Sequence, residues 1–148
     1  MKTAYTKLPT AAQLLLGLLF TVFGLNGFLH FLPQPEMTGP PAAFLGALVT
    51  SGYLFTLVKG VEVVAGLMLL ARWQVPLALL LLAPVIVNIL AFHAFLAPAG
   101  IGMALVVTTL ELYVAWTRRA TFAPLFRDEA PARAPSAQRR HESVAHAA

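Results

Sequence analysis

Seven polar or ionisable side chains lie inside long apolar stretches of this sequence. A charged group within a lipid-like interior costs several kcal/mol unless it is paired or hydrated, so such residues are candidates for a functional site. The alternative is that they only hold helices together through buried hydrogen bonds. The set consists of Asn26, His30, Lys59, Glu62, Asn88, His93 and Glu111.

The spacing of these residues predicts which of them interact. Lys59 and Glu62 are three residues apart and share one face of a helix, so we expect them to form an ion pair. One lysine with two glutamates leaves a net negative charge, and Glu111 is expected to be the acid that holds a proton. A protonatable carboxyl group near two histidines could serve a quinol or a proton path, and a static polar network is the alternative.

The composition places these residues in a membrane protein. Of 148 residues, 59% are hydrophobic and 11% are charged, and the mean hydropathy is +0.78. A soluble domain is about half apolar and about a quarter charged. A membrane-crossing helix needs about 20 apolar residues. Four such runs predict an all-α membrane protein, an antiparallel four-helix transmembrane bundle, with spans at about 10–32, 52–71, 75–96 and 101–117.

The connections between the spans add two expectations. Residues 72–74 and 97–100 leave room only for tight turns, whereas residues 33–51 form one long connection. Its second half, 42–50, predicts a short helix on the membrane surface, with a structured loop as the alternative. At a rise of about 1.5 Å per residue, polar residues from all four spans fall into one layer, with His30 and His93 at its outer rim.

Basic residues indicate the orientation of the chain. The connections 33–51 and 97–100 contain no Lys or Arg. By the positive-inside rule, residues 1–9 and the C-terminus are therefore expected in the cytoplasm. A cleaved signal peptide is the alternative for the first run, but that run is too long and lacks a cleavage site. The basic residues of the cytoplasmic side are Lys2, Lys7, Arg72, Arg118 and Arg119.

Residues 127–148 differ in composition from the rest of the chain. They are rich in Ala, Pro, Arg, Ser and His, which predicts a disordered cytoplasmic tail. Arginines of this tail and of the preceding edge account for most of the net charge of +4. A basic edge facing anionic lipid explains that charge, so the lipid bilayer is an expected partner and nucleic acid is not.

Several chemistries are excluded by the sequence. It contains no glycine-rich phosphate loop, no His-Glu-x-x-His pattern and no cysteine for thiol chemistry. His30 and His93 lie on different helices and provide only half of a structural zinc site, so no metal is expected. Haem between these histidines is a less favoured alternative, because histidines are common at helix ends. A quinone suits the polar layer better than haem does.

Three segments carry a family resemblance. They are GLNGFLHFLP at 24–33, GYLFTLVKGVEVVAGLMLL at 52–70 and PLALLLLAPVIVNILAFH at 76–93. Their most specific part is the Lys-x-x-Glu pattern of Lys59 and Glu62, which is followed by Ala-Gly. In these segments the chain resembles the DoxX family of small four-span bacterial membrane proteins, and the resemblance covers about residues 11–126.

The resemblance implies a four-helix bundle in the cytoplasmic membrane. Name-giving members of the DoxX family are linked to a thiosulfate:quinone oxidoreductase, and other members are associated with redox-protective membrane complexes. Glu111 is added to the site on physical grounds alone. The polar positions that the resemblance carries over are Asn26, His30, Lys59, Glu62, Asn88 and His93.

Three functions are compatible with these observations. The first is a membrane subunit of a redox system that binds quinone or a similar small ligand. It would need a redox partner protein, because this chain encodes no evident redox centre of its own. The second is a small proton-coupled transporter or channel, in which several copies of the chain would form a homo-oligomer. The third is a non-catalytic assembly subunit whose polar layer only fixes the register of its helices.

Overall fold

The computed structural model describes residues 2–33 and 36–126, and within these residues the chain forms helices and turns without any β-strand. The prediction of an all-α protein is confirmed. The predicted tail, 127–148, lies outside the described residues. The helices are α1 (Lys2–Leu29), α2 (Pro40–Thr50), α3 (Leu54–Leu70), α4 (Val75–Phe95), α5 (Ile101–Thr117) and α6 (Arg119–Phe122), with 3-10 turns at Pro98–Gly100 and Ala123–Phe126.

Helix α1 ends at Leu29, three residues before the end of the predicted span. His30 adopts a left-handed backbone conformation with φ 51°, which stops the helix. The His30 N–H donates to the Asn26 carbonyl at 2.9 Å, and the Leu32 N–H donates to Asn26 Oδ1 at 2.7 Å. The apolar residues that follow continue the hydrophobic run but not the helix. The hydropathy pattern could not predict this end of α1, because hydropathy carries no information on φ.

A tight turn joins α3 to α4, as predicted from its length. Arg72 is left-handed with φ 58°. The Arg72 N–H donates to the Leu69 carbonyl at 3.2 Å, and the Trp73 N–H donates to the Met68 carbonyl at 3.0 Å. These two bonds form a Schellman motif, which satisfies carbonyls that the helix end would otherwise leave free. Helix α4 then begins with a proline in its first turn.

The four longer helices pack around a common apolar core. Helix α1 packs against α3 and α5, and α4 packs against the same two helices. Two glycines bring the α1 and α3 backbones together: a Cβ on Gly66 would lie 2.7 Å from the Thr21 nitrogen, and one on Gly17 would lie 2.9 Å from the Gly66 oxygen. The largest fully buried apolar side chains are Leu16, Leu69, Leu79, Leu82 and Val114.

Three helical segments are long and apolar enough to cross a membrane, namely Lys7–Leu29, Val75–Phe95 and Pro98–Thr117. The pair Pro40–Thr50 and Leu54–Leu70 qualifies as a fourth span only when its two helices, which meet at 90°, are taken together. The outer surfaces of these helices are also apolar, which suits a lipid environment. Exposed apolar residues on them include Leu18, Val87, Leu105 and Leu112.

Helix α2 occupies the region where a short helix is predicted over 42–50. It begins earlier, at Pro40, because consecutive prolines fit the first turn of a helix, where no N–H partner is needed. None of its residues is buried. Glycines with positive φ stand on both sides of it, Gly39 at 69° and Gly52 at 79°. The chain therefore turns sharply into and out of α2.

Gln13 joins three helices at the end of the protein where α3 and α5 finish. Its side chain is only 1% exposed. Gln13 Nε2 donates to the Leu69 carbonyl at 2.7 Å, and Gln13 Oε1 accepts a hydrogen bond from Arg118 at 2.7 Å. The sequence analysis did not single out this glutamine. Its position near the start of an apolar run gives no signal that distinguishes it from a residue facing lipid headgroups.

Candidate functional site

A cavity of about 1000 Å³ lies at the other end of the protein, where α1 and α4 finish and α3 and α5 begin. Helix α2 contributes Leu45, Gly46 and Val49 to its wall. Most of the lining is apolar, with phenylalanines from α1 and α3 among the wall residues. The cavity brings together five of the seven predicted polar residues, which are Asn26, His30, Lys59, Glu62 and His93.

Lys59 and Glu62 form the predicted ion pair in the cavity wall. Lys59 Nζ donates to both carboxylate oxygens of Glu62, at 2.8 Å and 3.1 Å. The Glu62 side chain is 5% exposed and that of Lys59 is 22% exposed. An ammonium group has three donors, so one N–H of Lys59 remains for a ligand in addition to this bidentate contact.

Gly27 makes room for the lysine. A Cβ at Gly27 would lie 2.6 Å from Lys59 Cγ and 2.7 Å from Lys59 Cδ, so the lysine chain crosses α1 where α1 has no side chain. Lys59 Nζ also lies 6.0 Å from the centre of the Phe55 ring, within the range of a cation–π contact. The position of the charge is thus fixed by Glu62, by the glycine and by an aromatic ring.

Asn26 has both a structural role and a free donor. Its Oδ1 accepts the Leu32 N–H, which holds the chain reversal after α1. Its Nδ2 makes no hydrogen bond to the rest of the described chain, and the residue lines the cavity. Because Oδ1 is occupied by a backbone donor, Asn26 presents a hydrogen-bond donor to the cavity.

His93 is oriented by the turn between α4 and α5. Its Nδ1 lies 3.1 Å from the Ala97 carbonyl. A carbonyl can only accept, so Nδ1 carries the hydrogen of this bond and Nε2 of the neutral ring is an acceptor. The ring packs on Gly100, where any Cβ would collide with ring atoms Cε1 and Nδ1. Phe92 meets the ring edge-on at 5.2 Å.

His30 and Asn88 occupy the margins of the site. His30 is exposed at the end of α1 and lines the large cavity. Asn88 lines a smaller cavity of about 120 Å³, which also touches Lys59, Glu62 and His93. On a straight helix Asn88 and His93 lie on different faces, yet both reach this second cavity.

Glu111 is not part of either cavity, although its predicted depth placed it in the same layer. It is 7% exposed, and its Oε2 has no hydrogen-bond partner within the described residues. It lies one helical turn beyond Val107, which does line the large cavity. Thr108, three residues before Glu111 on α5, does not donate to it, because Thr108 Oγ1 donates to the Ala104 carbonyl at 2.7 Å.

The sequence analysis missed the two glycines that shape this site. Gly27 and Gly100 act through side chains on other elements, Lys59 and His93, so their role depends on tertiary contacts that no local pattern reveals. In residues 2–33 and 36–126, no three histidine or acidic side chains lie close enough together to hold a metal ion.

The site therefore combines an apolar chamber with a polar wall made of one ion pair, two histidines and an asparagine. Such a wall can bind the oxygen atoms of an amphipathic ligand while the chamber holds its apolar part. Compared with known proteins, the chain matches no family model, no characterised protein and no solved structure.

Proposed function

We propose that this chain is a DoxX-like integral membrane protein that binds quinone, or a similar small ligand, as the membrane subunit of a redox system. In this proposal the four longer helices form an antiparallel transmembrane bundle with both termini in the cytoplasm of a bacterial cell. The observation that carries the proposal is the convergence of Asn26, His30, Lys59, Glu62 and His93 on one largely apolar cavity.

The size of the cavity supports an amphipathic ligand. Pockets for small molecules usually measure about 300–1000 Å³ and are mostly apolar, with a few polar groups that orient the ligand. A cavity of about 1000 Å³ has room for an aromatic head group and the first part of an isoprenoid tail. The polar wall suits the head group, and the phenylalanines suit the tail.

The polar residues would have two roles, which are to stabilise charge on the ligand and to exchange protons with it. The free N–H of Lys59 would stabilise negative charge that develops on a ligand oxygen. The histidines would exchange protons with the ligand's oxygens. Electrons would have to pass to or from a redox partner protein, because the amino-acid sequence contains no cysteine and no evident redox centre.

A specific observation favours a second candidate, a non-catalytic assembly subunit. Lys59 donates to both carboxylate oxygens of Glu62, and Asn26 Oδ1 accepts a backbone N–H beyond the end of α1. These contacts stabilise the fold without any ligand, as expected if the polar layer only fixes the register of the helices. In that case substitutions in the layer lower stability and leave ligand content unchanged.

The two candidates are separated by the ligand content of the protein after purification in a mild detergent. We would extract the parent and its variants with organic solvent and identify co-purified quinone by mass spectrometry. Glu62→Gln is the informative variant and Glu111→Gln its matched control, because both glutamates are buried but only Glu62 lines the cavity. His30→Ala tests the margin of the site.

We expect stoichiometric quinone in the parent and in Glu111→Gln, and a marked loss in Glu62→Gln and His30→Ala. Equal quinone content in Glu62→Gln and the parent, with both proteins folded, would rule out the proposed site. A parent that carries only bulk lipid would favour the assembly subunit, and the next step would then be to identify its partner proteins.

A further inference from the structure

The hydrogen-bonding polarity of the cavity is fixed at two of its residues by contacts with the backbone. At Asn26, the Leu32 N–H occupies Oδ1 at 2.7 Å and leaves Nδ2 as the free group. At His93, the Ala97 carbonyl lies 3.1 Å from Nδ1 and leaves Nε2 as the free nitrogen. The chain itself, rather than the ligand, therefore decides that one residue donates and the other accepts.

The packing of His93 reinforces this assignment. Its Cε1 and Nδ1 atoms lie against Gly100, on the side of the α4–α5 turn. The Phe92 ring meets the His93 ring at an interplanar angle of 83°. His93 lines both cavities. A half-turn of the ring about the Cβ–Cγ bond would place Cδ2 instead of Nδ1 opposite the Ala97 carbonyl and would lose this hydrogen bond. The neutral ring is therefore held with its acceptor free.

We propose that the site recognises its ligand through a hydroxyl group that donates a hydrogen bond to Nε2 of His93, and so prefers the reduced, quinol form to the quinone. This inference rests on the proposed function. A quinone has only acceptor oxygens, which would meet the lone pair of Nε2. A quinol hydroxyl donates to Nε2, and its oxygen can still accept from Asn26 Nδ2 or from the free N–H of Lys59.

His93 is a specificity-determining residue in this proposal, and Gly100 positions it. A methyl group at Gly100 cannot coexist with the observed ring position, because it would overlap Cε1 and Nδ1. The variant Gly100→Ala thus displaces His93 without removing any polar group. Gly102→Ala is its matched control, because a Cβ at Gly102 meets nothing within 4 Å.

The test compares two probes with the same ring and the same two oxygens, of which only the first can donate: an alkyl-hydroquinone and its dimethyl ether, in which methyl groups replace the hydroxyl hydrogens. Binding to the full-length protein in detergent would be measured by titration calorimetry in the absence of oxygen. An unmade hydrogen bond to a buried acceptor typically weakens binding by about tenfold. We expect the parent and Gly102→Ala to bind the hydroquinone about tenfold more tightly than the ether.

In Gly100→Ala this preference should disappear. His93→Phe provides a second variant in case the alanine variant does not fold, since phenylalanine keeps a ring against Gly100 and Phe92 but has no acceptor. Equal affinity of the parent for both probes would overturn the preference for quinol and leave the proposed ligand site intact. Retention of the preference in His93→Phe would overturn the role of His93. Failure of the parent to bind either probe would overturn the proposed function itself.

Discussion

The ion pair between Lys59 and Glu62 allows a quantitative test of how the polar wall contributes to stability. Lys59→Met leaves the Glu62 carboxylate, whose side chain is only 5% exposed, without its partner. Removing one partner of a buried ion pair typically costs about 3–5 kcal/mol. Glu62→Gln should cost less, about 1–3 kcal/mol, because the amide oxygen still accepts from Lys59 and that side chain is 22% exposed.

The double variant Lys59→Met/Glu62→Gln has no charge at this place. Replacing both members of a buried pair by neutral groups is often close to neutral for stability. The double variant should therefore be more stable than Lys59→Met alone, and the coupling energy between the two positions should approach the sum of the two single losses, about 4 kcal/mol or more. As a control, Lys59→Met combined with Glu111→Gln should give additive losses, because Glu111 has no hydrogen bond to Lys59 in the described chain.

Both cycles can be measured by reversible unfolding in mixed micelles with increasing sodium dodecyl sulfate, followed by the circular dichroism of the helices. The free energy of unfolding is obtained for the parent, the three single variants and the two double variants. Additivity of the Lys59 and Glu62 losses to within about 0.5 kcal/mol would show that the two charges do not stabilise each other. The reasoning on the polar wall would then be refuted.

Two further predictions concern the frame that holds the site. Gly66→Ala should destabilise the protein by about 1–3 kcal/mol through overpacking against the α1 backbone. Gly60→Ala in the same helix is the control, because a Cβ there meets open space, and it should stabilise the protein by up to about 1 kcal/mol. Similar melting temperatures for the two variants would contradict the close packing of α1 and α3. Gln13→Leu should lower stability by about 1–3 kcal/mol, because it removes one of the two donors to the Leu69 carbonyl and the acceptor of the Arg118 hydrogen bond. An unchanged thermal unfolding curve would show that this link does not hold the helices.

Local geometry explains which parts of the site could be predicted. Lys59 and Glu62 pair because residues three apart on a helix are neighbours whatever surrounds them. Asn26 and His30 line the same cavity because they are four residues apart, with the His30 N–H bonded to the Asn26 carbonyl at the end of α1. The all-α character follows from long apolar runs separated by short turns. These features depend on helical spacing alone, so the sequence is sufficient to predict them.

Features that depend on the rotation and ends of helices could not be predicted in the same way. Glu111 is buried on the same face of α5 as Val107 but lies one turn deeper than the cavity, and depth counted along a helix does not fix where a cavity ends. Helix α1 ends at Leu29 because of the backbone conformation of His30, which the apolar pattern hides. Gln13 finds its partners on α3 and beyond α5, and only the packed structure brings them together.

The length of α3 has a consequence for the surrounding lipid. In the proposed transmembrane arrangement its 17 residues extend for about 25 Å, against a hydrocarbon core of about 30 Å. Helix α4, with 21 residues, covers about 31 Å. In this arrangement the bilayer would have to adapt to the shorter α3, for example by thinning beside it, at the end where α2 meets α3 at 90°. Lys59 lies only about 8 Å from that end of α3, so in the proposed arrangement a change in acyl-chain length would change the distance between its charge and water.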